Sequence, residues 1–133
     1  MVLYHGSNMI MWSTRLQTLV ASSTTVAKIF AVADAIDDIM TLHYELHELF
    51  GSNLPATIYE DNTSAYKSLV GGNTKKMRYA MIKAHLIRDY VKSGLIELAE
   101  ITSPQQLADP LTKALKPTDF EYFTNIFFDK NNL

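Results

Sequence analysis

Two imidazoles stand one helical turn apart in His43-Tyr44-Glu45-Leu46-His47, a spacing at which both can reach one transition metal. A zinc hydrolase would need the order H-E-x-x-H and a third ligand, and this segment offers neither. Packing or contact with a partner is therefore the expected use of His43 and His47. Asp34, Asp38 and Glu45 form an acidic stripe on the opposite side of the same segment, which reads as a solvated face. A second charged pattern combines Arg78, His85, Arg88 and Lys92, beside an apolar stripe of Met77, Ala80, Ala84, Ile87 and Val91, with Lys75 and Lys76 just upstream. Such a row can contact the phosphates of a nucleic acid, or it can be a solvated face balanced by Asp89. Asp61 and Asp109 each precede a helix-like or Pro-containing segment, where a carboxylate is well placed as an N-cap. No Ser/His/Asp order and no phosphate-binding glycine loop stands out, and Gly71-Gly72 reads as a turn.

The elements that must position these residues follow from spacing. Val2-Leu3-Tyr4 and Met9-Ile10-Met11-Trp12 flank Gly6-Ser7-Asn8, which reads as a hairpin of two short strands. From about Ser22 to Phe50 the apolar residues Val26, Ile29, Phe30, Ala33, Ile36 and Met40 keep helical spacing, and Gly51 supplies the stop. Ala56 to Tyr59 reads as a strand, Asn62 to Val70 as a short helix ended by Gly71-Gly72-Asn73, and about Lys76 to Ser93 as a second long helix ended by Gly94. Ile96 to Ile101 alternates as a strand does. Ser103-Pro104-Gln105-Gln106 has capping-box spacing, and Thr118-Asp119-Phe120-Glu121 repeats that signal for a last helix. The order is β-β-α-β-α-α-β-α.

Composition bounds the function. A chain of 133 residues, 47% hydrophobic, suits one domain over 1–133 with a real core. A net charge of −2 gives no global attraction to nucleic acid, so any such binding needs a local patch. The absence of cysteine excludes disulfides and thiolate metal sites. No run reaches the length of a membrane span and the first residues lack the features of a signal peptide. An intracellular protein is expected, in nucleus or cytoplasm.

Five blocks carry a resemblance, in one order. Val20-Ala21-Ser22-Ser23-Thr24-Thr25-Val26-Ala27-Lys28-Ile29-Phe30-Ala31 is similar to the V-A-L-S-T-T-E-A-E-Y-I-A segment of the ribonuclease H domains of Ty1/copia-type retrotransposons. Ile10-Met11-Trp12-Ser13 with Gln17 resembles the I-S-W-S…Q that leads into that segment. Glu60-Asp61-Asn62-Thr63-Ser64-Ala65 resembles C-D-N-Q-S-A. His85-Leu86-Ile87-Arg88 resembles H-F-I-R, and Gln106-Leu107-Ala108-Asp109-Pro110-Leu111-Thr112-Lys113 resembles Q-L-A-D-I-L-T-K. The blocks span roughly residues 2 to 126, and their shared order is far more specific than any one match.

The resemblance implies an RNase H-like α/β fold, a mixed sheet flanked by helices. It also implies a site in which four acids hold two Mg²⁺ ions about 4 Å apart to cleave RNA in an RNA·DNA hybrid. In this chain the family's catalytic Glu falls on Lys28, and the strand that carries the first catalytic Asp, central in the family's sheet, is absent. Only Asp61 and Asp109 remain of the four. Two carboxylates and an ammonium are a poor host for two divalent cations, so no cofactor or metal is expected. Lys28 can instead pair with Asp61 or Asp109; the alternative is a solvated lysine. The family's K-H-I-D segment reads Arg78-Tyr79-Ala80-Met81, a drift toward apolar residues.

The expected function is that of a catalytically inactive, N-terminally truncated domain derived from a copia-type element and used in protein interaction. Without its central strand the sheet would leave unpaired edges, which native proteins cover or pair. A homodimer or a protein partner completing the sheet is expected. Leu3, Tyr4, Ile10 and Trp12 of the hairpin, with His43 and His47, are the interface candidates. The alternatives are an active ribonuclease H fragment of a polyprotein, with acids supplied from elsewhere, and a non-catalytic domain that binds RNA or DNA weakly through Arg78, His85, Arg88 and Lys92.

Overall fold

A computed structural model of the chain describes residues 1–71 and 78–128, apart from the side chain of Arg78. The elements run β1 (Val2–His5), β2 (Asn8–Trp12), α1 (Thr24–Phe50), β3 (Ala56–Glu60), α2 (Thr63–Val70), α3 (Arg78–Lys92), β4 (Ile96–Glu100) and α4 (Pro117–Phe128), with 3₁₀ turns at Ser103–Gln105 and Asp109–Leu111. This is the element order expected from spacing, and the class is α/β. The strands do not form one mixed sheet. They form two ladders, β1–β2 antiparallel and β3–β4 parallel, and no strand that would join them is among the described residues. The chain divides into two compact units, residues 1–16 with 106–133, and residues 17–105.

In the larger unit, α1 starts where Ser23 accepts a hydrogen bond from the Val26 N–H at 3.2 Å. This side-chain cap satisfies one of the orphan donors of the first turn. It ends where Gly51 takes φ 65° and its N–H bonds the His47 carbonyl at 2.8 Å, a left-handed stop that glycine adopts without a Cβ penalty. Between these caps Val26, Ile29, Phe30, Val32, Ala33, Ile36, Ile39 and Met40 are buried. The buried side of α3 is Ala80, Ala84 and Ile87, and all three belong to the core cluster that α1 supplies. Helix α3 closes in a Schellman motif: Leu95 N–H reaches Tyr90 O and Gly94 N–H reaches Val91 O, with Gly94 at φ 76°. That turn feeds Ile96 directly into the core, beside Ala65 and Leu69 of α2. Helix α2 therefore joins a core that α1, α3 and β4 supply.

In the smaller unit, Gly6 at φ 63° begins a two-residue loop that joins His5 to Asn8, the conformation that a type II′ hairpin asks of its first loop residue. A register shift between Leu3 and Tyr4 marks a bulge. Met9 and Met11 are half-buried while Ile10 and Trp12 are exposed, Trp12 by 65%. Helix α4 begins at Pro117, so the Thr118 signal lies inside the helix instead of capping it; Pro117 needs no N–H partner there. The capping box at Ser103 also moves. Gln105 Oε1 accepts from the N–H and Oγ1 of Thr102, at 3.1 and 2.9 Å, and this supports one 3₁₀ turn.

Candidate functional site

The polar cluster of the larger unit lies at the carboxyl ends of the two parallel strands, where open α/β sheets commonly place their sites. The ladder pairs Glu60 with Glu100 at its last rung, and like charges at that spacing need separate partners. Glu60 Oε1 accepts the Asn62 N–H at 2.9 Å, while Glu100 Oε1 accepts the Thr63 hydroxyl at 2.5 Å. Asn62 caps α2, its Oδ1 accepting from Ala65 N–H at 2.9 Å. Asp61 thus sits one residue before a helix N-terminus, where the backbone dipoles favour an anion.

Lys28 comes to this cluster from the second turn of α1. Its Nζ donates to Asp61 Oδ1 at 2.7 Å and stands 3.9 Å from Glu60 Oε1. Ser103 Oγ donates to Asp61 Oδ2 at 3.3 Å, so both carboxylate oxygens of Asp61 have partners. The Asp61 side chain is 9% exposed and that of Lys28 38%: the ammonium covers the carboxylate from the solvent side. Glu60, 4% exposed, is the one charged residue among the buried ones described. Burial pushes its carboxyl above the ordinary value of 4.5, with Asp61 adding to the rise, while the Asn62 N–H and Lys28 oppose it.

The two aspartates do not cap helices. Asn62 caps α2, and Ala108, without a side-chain cap, precedes the turn of Asp109. Asp109 belongs to the smaller unit, where its Oδ2 accepts from Lys113 Nζ at 2.6 Å, an i,i+4 pair. Neither spacing nor the block resemblance gives Glu60 a role. Its signal was available in the apolar strand that ends on a charged residue directly before Asp61.

The basic row on α3 is divided by its partners. Arg88 turns inward: Nε donates to Leu69 O at 3.1 Å and Nη2 to Ser68 O. Its guanidinium thus serves the last carbonyls of α2. His85 and Lys92 are exposed, whereas Lys75, Lys76, Met77 and the side chain of Arg78 lie outside the described residues. On α1, His43 is half-buried, and His47 is exposed instead of packed, its Nδ1 3.3 Å from Ser52 O beside the Gly51 stop. Leu3 and Tyr4 are half-buried. Asp34 lies 3.8 Å from Lys83 of α3, so the acidic stripe is tied in part to its neighbour.

A pair of divalent cations does not fit this arrangement. One carboxylate is already bound by an ammonium, the other is buried and shifted toward its neutral form, and a divalent ion about 4 Å from Lys28 would meet a repulsion of roughly 8 kcal/mol at an effective dielectric near 20, before solvent screening.

Over most of its length the chain is similar to Ty1/copia-type retrotransposon Pol polyproteins. It is 34% identical over 127 residues to the retrovirus-related Pol polyprotein from transposon RE1 of Arabidopsis thaliana, a match covering 93% of this chain and 9% of that protein. With the corresponding polyprotein from transposon RE2 of the same plant it is 32% identical over 126 residues, 92% of the chain and 9% of the relative. With the transposon Ty1-JR2 Gag-Pol polyprotein of Saccharomyces cerevisiae it is 27% identical over 110 residues, 81% and 6% of the two chains. The chain thus spans less than a tenth of the length of these relatives. No family model matches it. No solved structure matches it either. Among the described residues no helix is long and apolar enough to cross a membrane.

Proposed function

We propose that this chain is an RNase H-like domain derived from a copia-type retrotransposon Pol polyprotein, that it does not cleave RNA, and that it acts through protein contacts. The observation that carries the reading is the 2.7 Å pair between Lys28 Nζ and Asp61 Oδ1. By the resemblance these are two metal-ligand positions, and here one side chain satisfies the other. The block order, the element order and the similarity to retrotransposon polyproteins support the scaffold. An exposed hairpin face with Ile10 and Trp12 supports contact with another chain, since large apolar side chains at one place mark interaction surfaces.

A second reading is favoured by the small share of its relatives that the chain spans: a ribonuclease H segment of a longer polyprotein, completed by acids from elsewhere. The two readings part at Lys28, because a supplied strand adds an acid without removing this cation. Thermal unfolding of the 133-residue chain with and without Mg²⁺ or Mn²⁺ tests the choice. The non-cleaving reading expects no metal-dependent rise in Tm, and a saturable rise lost in Asp61→Asn would favour the enzyme.

A further inference from the structure

We infer that Lys28 is a tethered counter-ion for a carboxyl pair formed by Glu60 and Asp61, that Glu60 keeps its buried place through Lys28, and that removing the Lys28 charge leaves a pair open to a divalent cation. The inference shares with the proposed function only the placement of Lys28 over Asp61. The resemblance assigns no role to Glu60.

Consecutive carboxyl groups at the end of a buried strand are an unfavourable arrangement on their own, since each raises the cost of ionising the other. Here Glu60 is nearly inaccessible, and Asn62 N–H, at 2.9 Å, is its one close backbone donor described. The compensating positive charge comes from a different element: Lys28 Nζ lies 2.7 Å from one carboxylate and 3.9 Å from the other. It is held there by a stem rooted beside Val26 and Ile29, both buried. An ammonium in that position gives the pair one unit of positive charge without ligand exchange, a task that a bound cation performs in a carboxylate-rich site. Ser103, 3.3 Å from Asp61, adds an oxygen on the far side. With Lys28 neutralised, the carboxylates of Glu60 and Asp61 would face the vacated place, hard oxygen ligands suited to Mg²⁺ or Mn²⁺.

A stability cycle and one titration test this on the 133-residue chain. Lys28→Met should lower Tm, and Glu60→Gln added to it should restore most of the loss; simple additivity of the two changes would overturn the coupling. If Lys28→Met does not fold, recovery of a cooperative transition in the double variant is the same coupling, and failure of both variants to fold overturns it. Mn²⁺, followed by electron paramagnetic resonance, should bind Lys28→Met about tenfold or more tighter than the unaltered chain, and the Glu60→Gln double variant should lose that gain. Where Lys28→Met does not fold, Lys28→Gln takes its place in the titration. Equal Mn²⁺ affinity with and without Lys28 would overturn the counter-ion role. Neither readout involves hybrid cleavage, so this inference and the non-cleaving reading can fail separately.

Discussion

Lys28 Nζ and Asp61 Oδ1, 33 residues apart in the chain, meet at 2.7 Å and join the second turn of α1 to the end of β3. The pair is half open to water, which limits its worth, but the buried Glu60 beside it raises the consequence of reversing its charge. Lys28→Glu would gather three acids at one place. It should destabilise the larger unit by about 2–3 kcal/mol, roughly twice the loss from Lys28→Met, measured as urea midpoints at constant m-value. Equal stability of Lys28→Glu and the unaltered chain would count against the pair.

Glu60 sets a pH dependence of definite sign. Its folded-state pKa is raised above 4.5, chiefly by burial, so the native state holds this proton where the unfolded state has released it. The contribution is fully present below the unfolded pKa and is lost as pH rises through the folded pKa. Glu60→Gln should therefore gain stability relative to the unaltered chain as pH rises from about 4 to 7. Urea unfolding across that range checks it, and a difference that shrinks with rising pH would contradict the burial argument.

Arg88 belongs to the fold before it belongs to any ligand. Arg88→Ala removes two charge-assisted bonds to Ser68 and Leu69 carbonyls and should cost about 1.5–3 kcal/mol. Among the described residues of the basic row, the exposed His85 and Lys92 are the ones left for a nucleic-acid contact. Lys92→Glu with His85→Glu should leave Tm within a degree or two and abolish whatever low-salt binding a fluorescence anisotropy titration detects. Binding that survives this pair of changes would place the contact elsewhere.

The proposed protein contact is assigned to the hairpin. Trp12 and Ile10 point from one face of β2, and closed two-fold symmetry is the commonest outcome for soluble homo-oligomers. Analytical ultracentrifugation at micromolar concentration should show a dimer, and Trp12→Asp should yield monomers that remain folded. A monomer in the unaltered chain would remove self-association from the account and leave a different protein as the partner.

Local rules made much of this molecule legible. Ser23, Asn62, Gly51 and Gly94 begin or end helices as their side chains, or lack of one, dictate, and the apolar spacing of Val26 to Met40 marks the buried side of α1. The site was legible only in part. That Lys28 finds an acid follows from where the block resemblance sets it, but which acid depends on packing of α1 against β3, and spacing along the chain says nothing of that. A charged strand end is ordinarily solvated, so spacing alone does not mark Glu60 as buried. Spacing along α3 sets Arg88 in a charged row, and the carbonyls it serves belong to another helix. The resemblance implies one sheet, whereas hydrogen bonding decides which strands pair, and here it forms two ladders.

The most direct test of the central claim is incubation of the 133-residue chain with a labelled RNA·DNA hybrid in Mg²⁺ and in Mn²⁺. No cleavage above the buffer background is the expected result, because loss of one metal carboxylate usually removes orders of magnitude of rate. Metal-dependent cleavage that disappears in Asp61→Asn would contradict the account, since it would mean that Asp61 holds a catalytic cation while Lys28 is in place.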